Sequence, residues 1–217
     1  MLGRSVLGFS EFLFMYKMDM LKELIEETEK SLSIELNNFE RNLEDEARGY
    51  SQEQREEYFE YMSDEYWKYK EEQPQIVRVS FFLQSYFSFE HFMFKVCNYF
   101  KAKSDIKLEV KDISGQGLEK AKIYISKVIG ISSPFQSHYW AKIQYYNQIR
   151  NAFVHNAGKY DENNKKQGNT LKNIHSIDVK NNEFILNNYF CLEVIETFVE
   201  FTSLLKQETD NLQNRRL

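Results

Sequence analysis

The first part of the chain shows the apolar spacing of one long helix. Residues 10–48 contain neither proline nor glycine, and their apolar side chains recur every three or four positions. These side chains are Leu21, Leu24, Ile25, Leu32, Leu36, Phe39 and Leu43. The pattern predicts a helix that begins near Ser10 and ends at Gly49.

Two further helical patterns follow. Residues 51–72 are acidic and aromatic, and Pro74 predicts a break or a kink after them. Residues 75–101 are apolar on nearly every side, which is typical of a helix buried in a bundle. Its aromatic side chains are best interpreted as core packing: Phe81, Phe82, Tyr86, Phe89, Phe92 and Phe100.

Shorter elements occupy the middle of the chain. Residues 104–113 alternate weakly between apolar and polar positions and predict a connector. The spacing of apolar residues predicts a helix over 115–129 that ends at Gly130, and a second over 136–157 that ends at Gly158.

The end of the chain predicts a loop, a hairpin and a last helix. Residues 159–170 are polar and rich in Lys and Asn, which predicts a loop. The apolar segments 174–177 and 184–186 flank the turn sequence Lys180-Asn181-Asn182, which predicts a small β-hairpin. Asn187 or Asn188 then caps a helix that extends to about residue 212.

Composition agrees with a helical class. The chain has 8 Gly and 2 Pro, where average usage in 217 residues would give about 26 of the two together. That is too few turn residues for a β-sandwich or barrel. We therefore predict an all-α protein, an up-and-down helical bundle with a long N-terminal helical extension and one small β-hairpin.

Charge divides the chain in two. Residues 1–73 carry 19 acidic and 9 basic side chains, whereas residues 74–217 carry 14 acidic and 19 basic ones. The overall formal charge of −5 therefore hides a basic C-terminal part, which fits a polyanionic partner. We predict an acidic N-terminal helical extension over 1–73 and a helical bundle over 74–217.

Cysteine usage and hydropathy predict a cytoplasmic protein without a membrane segment. Cys97 and Cys191 both lie in apolar runs, as expected of buried free thiols. Residues 1–16 hold one Arg and a short apolar run that Glu11 interrupts, which makes a poor secretory signal. The most apolar stretch, 77–100, contains too many polar and charged residues to span a bilayer.

The chain lacks the sequence motifs of several classes of enzyme. The chain holds no HExxH, no CxxC, no glycine-rich phosphate loop and no GxSxG. A metalloenzyme, an NTPase and a serine hydrolase are therefore disfavoured. We predict neither a metal ion nor a cofactor.

The helix predicted over 136–157 combines an apolar arc with a polar edge. At 3.6 residues per turn, Arg150 falls inside an apolar arc made of Ile143, Tyr146, Ile149, Phe153, Val154 and Ala157. Asn147, Asn151 and His155 form a stripe along its edge. An arginine on an apolar face must meet an anion, reach solvent or lie in an interface. It could also be a structural ion-pair partner of Glu90, with His155 an ordinary side chain near a helix end.

The segment Arg150-Asn151-Ala152-Phe153-Val154-His155-Asn156-Ala157-Gly158 resembles the signature of the HEPN superfamily, in which Arg and then often Asn precede a His near the end of a bundle helix. Three upstream segments are also similar to HEPN proteins: Phe87 to Glu90, Gly117 to Ile131 and Trp140 to Ile143. The resemblance covers about residues 75–208, so residues 1–73 lie outside it.

The resemblance implies a homodimeric bundle that cuts RNA without a metal and leaves a 2′,3′-cyclic phosphate. By that resemblance, His155 moves the proton of the attacking 2′-hydroxyl, and Arg150 holds the scissile phosphate. Asn151 orients the histidine or the phosphate, with Asn147 and Glu90 in support. Lys159, Lys165 and Lys166 could follow an RNA backbone, although lysine-rich loops are usually only solvated.

The resemblance also suggests a toxin or an anti-phage defence effector with an antitoxin or another regulatory partner. Some small HEPN toxins carry His-x-Tyr, and their antitoxin modifies that tyrosine, whereas Ala157 stands at that position here. Two alternatives remain. One is a HEPN-like module that binds RNA or a nucleotide without cutting it, and the other is a helical protein-interaction protein.

Overall fold

A computed structural model describes residues 7–104 and 106–216, and the all-α prediction is confirmed. Residues 1–6, which belong to the predicted extension, and Asp105 of the predicted connector lie outside the described residues. The helices, in chain order, are α1 (Gly8–Glu46), α2 (Gln52–Tyr61), α3 (Ser63–Trp67), α4 (Gln73–Lys103), α5 (Gly117–Ile123), α6 (His138–Asn156), α7 (Lys165–Asn173) and α8 (Phe190–Arg216).

The predicted β-hairpin is also present. Strands β1 (Ile177–Lys180) and β2 (Glu183–Leu186) pair in antiparallel register, with Lys180 opposite Glu183. Asn181 and Asn182 form the turn with φ of 50° and 61°, a left-handed conformation that asparagine tolerates better than most residues.

The first half of α1 packs into the same core as α4 and α8. Its buried face consists of Phe14, Met18, Leu21 and Ile25, which repeat at helical spacing. The apolar spacing predicts Leu24 on this face, but Leu24 is half exposed, and the buried Phe14 and Met18 are not part of that prediction. α1 is thus a structural part of the core, while the division of the chain at residue 73 stays a prediction.

The second half of α1 pairs with α2 and α3. Arg55 of α2 forms a salt bridge of 2.7 Å with Glu44, and the ring of Phe39 lies 4.9 Å from that of Tyr69. A π-helical turn, Lys68–Glu72, connects α3 directly to α4.

At Pro74, where a break or a kink is predicted, the helices continue without a break. The π turn, whose hydrogen bonds span five residues instead of four, lies just before Pro74. In it the Gln73 N–H donates to the Lys68 carbonyl. Pro74 then occupies the first turn of α4, where its missing N–H leaves no hydrogen bond unmade.

Stacked aromatic rings join α4 to α8 at the centre of the bundle. Phe89 and Phe198 stack with ring centroids 4.3 Å apart, and Phe201 meets Phe89 edge-on. Both cysteines are free and buried in this core, as predicted, and burial raises the pKa of each thiol. Among the described residues, no helix is both long and apolar enough to cross a bilayer.

The prediction of a loop over 159–170 is wrong in its second half. Residues 165–173 form α7, because the Asn164 side chain accepts a hydrogen bond from the Lys166 N–H and caps the helix. The face of α7 that packs inward is polar, with Gln167 and Thr170 buried, so it gave no apolar signal.

Glu193 connects α8 to α6 and to the hairpin. Its carboxylate accepts hydrogen bonds from Lys142, Tyr146 and Ser176. Burial acts to raise the pKa of this carboxyl, but the bonds from Ser176 and Lys142 outweigh it, so the pKa lies below its usual value.

We expect the stability of the fold to depend on the charge of Glu193. A carboxyl whose pKa is lower in the folded than in the unfolded protein adds stability above the unfolded pKa, about 4.3 for Glu. That stability disappears as the pH falls through the lower folded pKa. Urea unfolding between pH 7 and pH 3 measures it.

The variant Glu193→Gln should lose roughly 1.5–3 kcal/mol at pH 7, the usual contribution of hydrogen bonds to a charged group. The difference between variant and wild type should shrink towards pH 3. Glu200→Gln, at an exposed position of the same helix, is the control. A constant difference at all pH values would contradict the role of the charge.

Candidate functional site

Helix α6 is held firmly at both ends. Ser137 caps its start by accepting a hydrogen bond from the Trp140 N–H. At its end Ala157 and Gly158 turn left-handed, with φ of 51° and 80°. Gly158 is required there, because a Cβ would lie 2.7 Å from the ring of Phe153.

The hairpin fixes the segment that follows α6. The Phe184 N–H donates to the Gly158 carbonyl at 2.9 Å, and the Tyr160 N–H donates to the Asn182 carbonyl at 2.7 Å. The C-terminal turn of α6 is therefore attached to β2 rather than free to fray.

The inner face of α6 agrees with the predicted apolar arc in its first part only. Ile143, Tyr146 and Ile149 are buried as expected, whereas Val154 and Ala157 at the end of the arc are exposed. Trp140 and Ala152 are buried although they lie outside the arc.

Arg150 packs against aromatic rings of α4. Its guanidinium carbon lies 5.7 Å from the ring centroid of Tyr86 and 5.4 Å from that of Phe87, distances of cation–π contacts. Nη1 donates to Oδ1 of Asn151 at 3.0 Å. Nε is buried and has no acceptor among the described residues. Because neutral groups hold it in place, the guanidinium keeps donors and positive charge for an anion.

Glu90 is near Arg150 but does not pair with it. The carboxylate oxygens of Glu90 lie farther from the guanidinium nitrogens of Arg150 than 4.0 Å, the limit for a salt bridge. Burial raises the pKa of Glu90, and the charge of Arg150 opposes the rise. A Cβ on Gly117 would lie 2.6 Å from Oε1 of Glu90, so the glycine makes room for the carboxylate. The alternative of a close structural ion pair between Arg150 and Glu90 is therefore wrong.

Asn147 is oriented by a buried tyrosine. The Tyr86 hydroxyl donates to Oδ1 of Asn147 at 2.8 Å. Burial raises the pKa of Tyr86, and the negative charge of Glu90 adds to the rise, so the phenol stays a donor. The amino group of Asn147 is thereby directed away from Tyr86.

These side chains line one polar cleft. It has a volume of about 470 Å³ and includes Glu90, Asn147, Arg150, Asn151 and His155. All five residues predicted as catalytic or supporting are thus brought together. His155 is exposed and also lines a second, wider cleft of about 710 Å³.

The three predicted RNA-binding lysines are not equivalent. Lys159 lines the wider cleft together with His155 and Tyr160. Lys165 and Lys166 are exposed on the first turn of α7, and neither belongs to the lining described for the two clefts.

Several residues that line the cleft are not indicated by the sequence pattern. These residues are Gln116 and Gly117 at the start of α5, Gln148 on α6, and Asn164 and Gln167 of α7. Helical spacing could have indicated Gln148 only. Asn164 carried a capping signal that was not recognised.

Neither a metal site nor a relative adds to this picture. Within the ranges that the structure describes, no three His, Cys, Asp or Glu side chains are placed to hold a metal ion. No family model, curated protein or solved structure is similar enough to the chain to count as a match.

Proposed function

We propose that the protein is a metal-independent endoribonuclease of the HEPN type. The observation that supports the proposal best is the state of Arg150. Its guanidinium faces a polar cleft without a carboxylate partner at salt-bridge distance, and His155 lines the same cleft. Arginine in this state suits a phosphodiester, which offers negative charge and paired acceptor oxygens.

The chemistry assigns one role to each side chain. His155 takes the proton of a ribose 2′-hydroxyl, whose oxygen attacks the adjacent phosphorus. The bond between phosphorus and the 5′ oxygen breaks, and that oxygen takes a proton from water. The products are a 2′,3′-cyclic phosphate and a 5′-hydroxyl end. Arg150 stabilises the charge that develops on the phosphoryl oxygens, and Asn151 holds the guanidinium through its Oδ1.

The proposal includes a homodimer. Phe87, which contacts Arg150, and Val154 on α6 each expose 41% of their surface, and a contact that buries them would be favourable. A two-fold contact there would bring two clefts together and exclude water from Arg150. By resemblance to the same superfamily, we propose a role as a toxin or anti-phage defence effector.

The test is cleavage of mixed RNA by the purified protein in EDTA. We expect fragments with 2′,3′-cyclic phosphate and 5′-hydroxyl ends, and light scattering should give twice the chain mass. A requirement for added divalent metal, or 3′-hydroxyl ends, would contradict the mechanism. Tight RNA binding without cleavage would favour the binding module instead.

A further inference from the structure

Among the described residues, seven side-chain amides line the cleft, and in four of them the protein itself already uses the carbonyl oxygen. Each of these four oxygens accepts a hydrogen bond from a neighbouring group. Asn147 accepts from the Tyr86 hydroxyl at 2.8 Å, Asn151 from Arg150 Nη1 at 3.0 Å, Asn164 from the Lys166 N–H at 3.1 Å, and Gln167 from the Asp161 N–H at 2.7 Å. With its oxygen fixed, each amide presents only its amino group, a donor.

Gln167 is the most constrained of the four. Only 7% of its surface is exposed, yet it lines both clefts. Across the described residues, its amino group has no acceptor. Within the described chain that nitrogen is not sealed from solvent, so it is open to a ligand that brings an acceptor.

The donors extend the cleft beyond the proposed catalytic pair. Asn147, Asn151 and His155 follow one another at four-residue intervals on α6, about 6 Å each at 1.5 Å per residue. Asn164 and Gln167 line the cleft together with His155 and then continue into the wider cleft, which Arg150 and Asn151 do not line. Asn164 and Gln167 therefore lie, like His155, where the two clefts meet.

Three carboxylates of the described chain also line the two clefts, those of Glu90, Asp161 and Glu162. The four amide donors favour a ligand whose groups only accept hydrogen bonds, such as a phosphate chain. Nucleobase edges and peptides present donors and acceptors together, whereas the phosphodiester oxygens accept only. We infer that Asn164 and Gln167 form a subsite for the phosphate that adjoins the scissile one. This inference rests on the proposed ribonuclease function and extends it, since the enzyme would require a substrate longer than one linkage.

Two isosteric substitutions remove the donors and keep the oxygens that the fold uses. Asn164→Asp keeps the oxygen that caps α7, and Gln167→Glu keeps the oxygen that accepts from Asp161. Both add a negative charge near the start of a helix, where such a charge is tolerated. Asn169→Asp is the matched control, because Asn169 is exposed on α7 and belongs to the described lining of neither cleft.

The substrate is an oligodeoxynucleotide with a single ribose, so that only one linkage can be cut. A neutral methylphosphonate replaces the phosphate on its 5′ or its 3′ side. For the wild type, we expect kcat/KM to fall about tenfold or more with one of the two replacements, as for loss of hydrogen bonds to a charged group. Gln167→Glu and Asn164→Asp should cut the fully charged substrate correspondingly slowly and lose this sensitivity. Asn169→Asp should behave as wild type.

The subsite is overturned if the wild type tolerates both neutral linkages, or if Gln167→Glu stays as sensitive as the wild type. Should the wild type cut no RNA, the proposed function fails, and binding decides the subsite separately. Fluorescence anisotropy with a 2′-O-methyl version of the probe then shows either a charge-dependent affinity that Gln167→Glu abolishes, or equal affinities that refute the subsite.

Discussion

Replacing Arg150 by alanine is expected to lower kcat/KM for RNA cleavage by about 10²–10³-fold, the usual effect of removing one donor to a developing oxyanion. The substitution removes a guanidinium that touches two rings and Asn151 but no carboxylate at salt-bridge distance within the described chain. Folding should therefore suffer little. Thermal unfolding of the variant, measured beside the cleavage rate, separates the two effects.

Matched variants make this result specific. Arg55 also lies over an aromatic ring, 5.4 Å from the centroid of Phe59, so Arg55→Ala tests for a general effect of losing such an arginine. His155→Ala should be as inactive as Arg150→Ala, and His175→Ala, at another exposed histidine, should be active. Arg150→Lys keeps the charge without the planar fork and should restore only part of the rate. Full activity of either Arg150→Ala or His155→Ala would refute the assignment of this site.

Replacing Phe14 by alanine should cost about 3–5 kcal/mol of unfolding free energy, the usual loss for a buried phenylalanine. Phe14 is 5% exposed and stacks on Phe92 of α4, with ring centroids 4.7 Å apart. The lost ring would leave a cavity between α1 and α4 that helix backbones cannot close. The midpoint of urea unfolding, followed by circular dichroism, measures the loss.

Phe12, two residues earlier on α1, supplies the control. Its side chain is 63% exposed, so Phe12→Ala should change stability by less than about 0.5 kcal/mol. An equally small effect of Phe14→Ala would mean that α1 is a separable extension. In that case, deleting residues 1–73 would leave a stable bundle, whereas the packing described above predicts that the shortened chain aggregates.

The sequence predicts those helices and strands whose signal lies in residues close together along the chain. The hairpin was predictable because Asn181-Asn182 tolerates a left-handed turn between two apolar segments. Helix α7 was not, because its buried side chains, Gln167 and Thr170, are polar and are accommodated only by contacts distant in sequence. The π turn before Pro74 was equally hidden, since no side chain in 68–72 requires it.

The residues of the candidate site divide in the same way, into those on one helix and those that the tertiary fold brings together. Arg150, Asn151 and His155 belong to one helix, so spacing and resemblance could indicate them together. Glu90 was identified as an exception within an apolar helix, but its distance from Arg150 depends on how α4 packs against α6. Gly117 and Gln167 come from two further elements, and only the tertiary fold brings them to the cleft.

The packing of α1 against α8 determines when a growing chain can fold. Met18 and Phe198 belong to one core, and Glu11 lies 3.0 Å from Lys206. At a synthesis rate of about 5–20 residues per second, on the order of ten seconds or more separate these two helices on the ribosome. During that time the side of α1 that packs against α8 is without its partner helix, so we expect the nascent chain to bind chaperones. The cleft on α6 acquires its rigid support only after α8 has been synthesised.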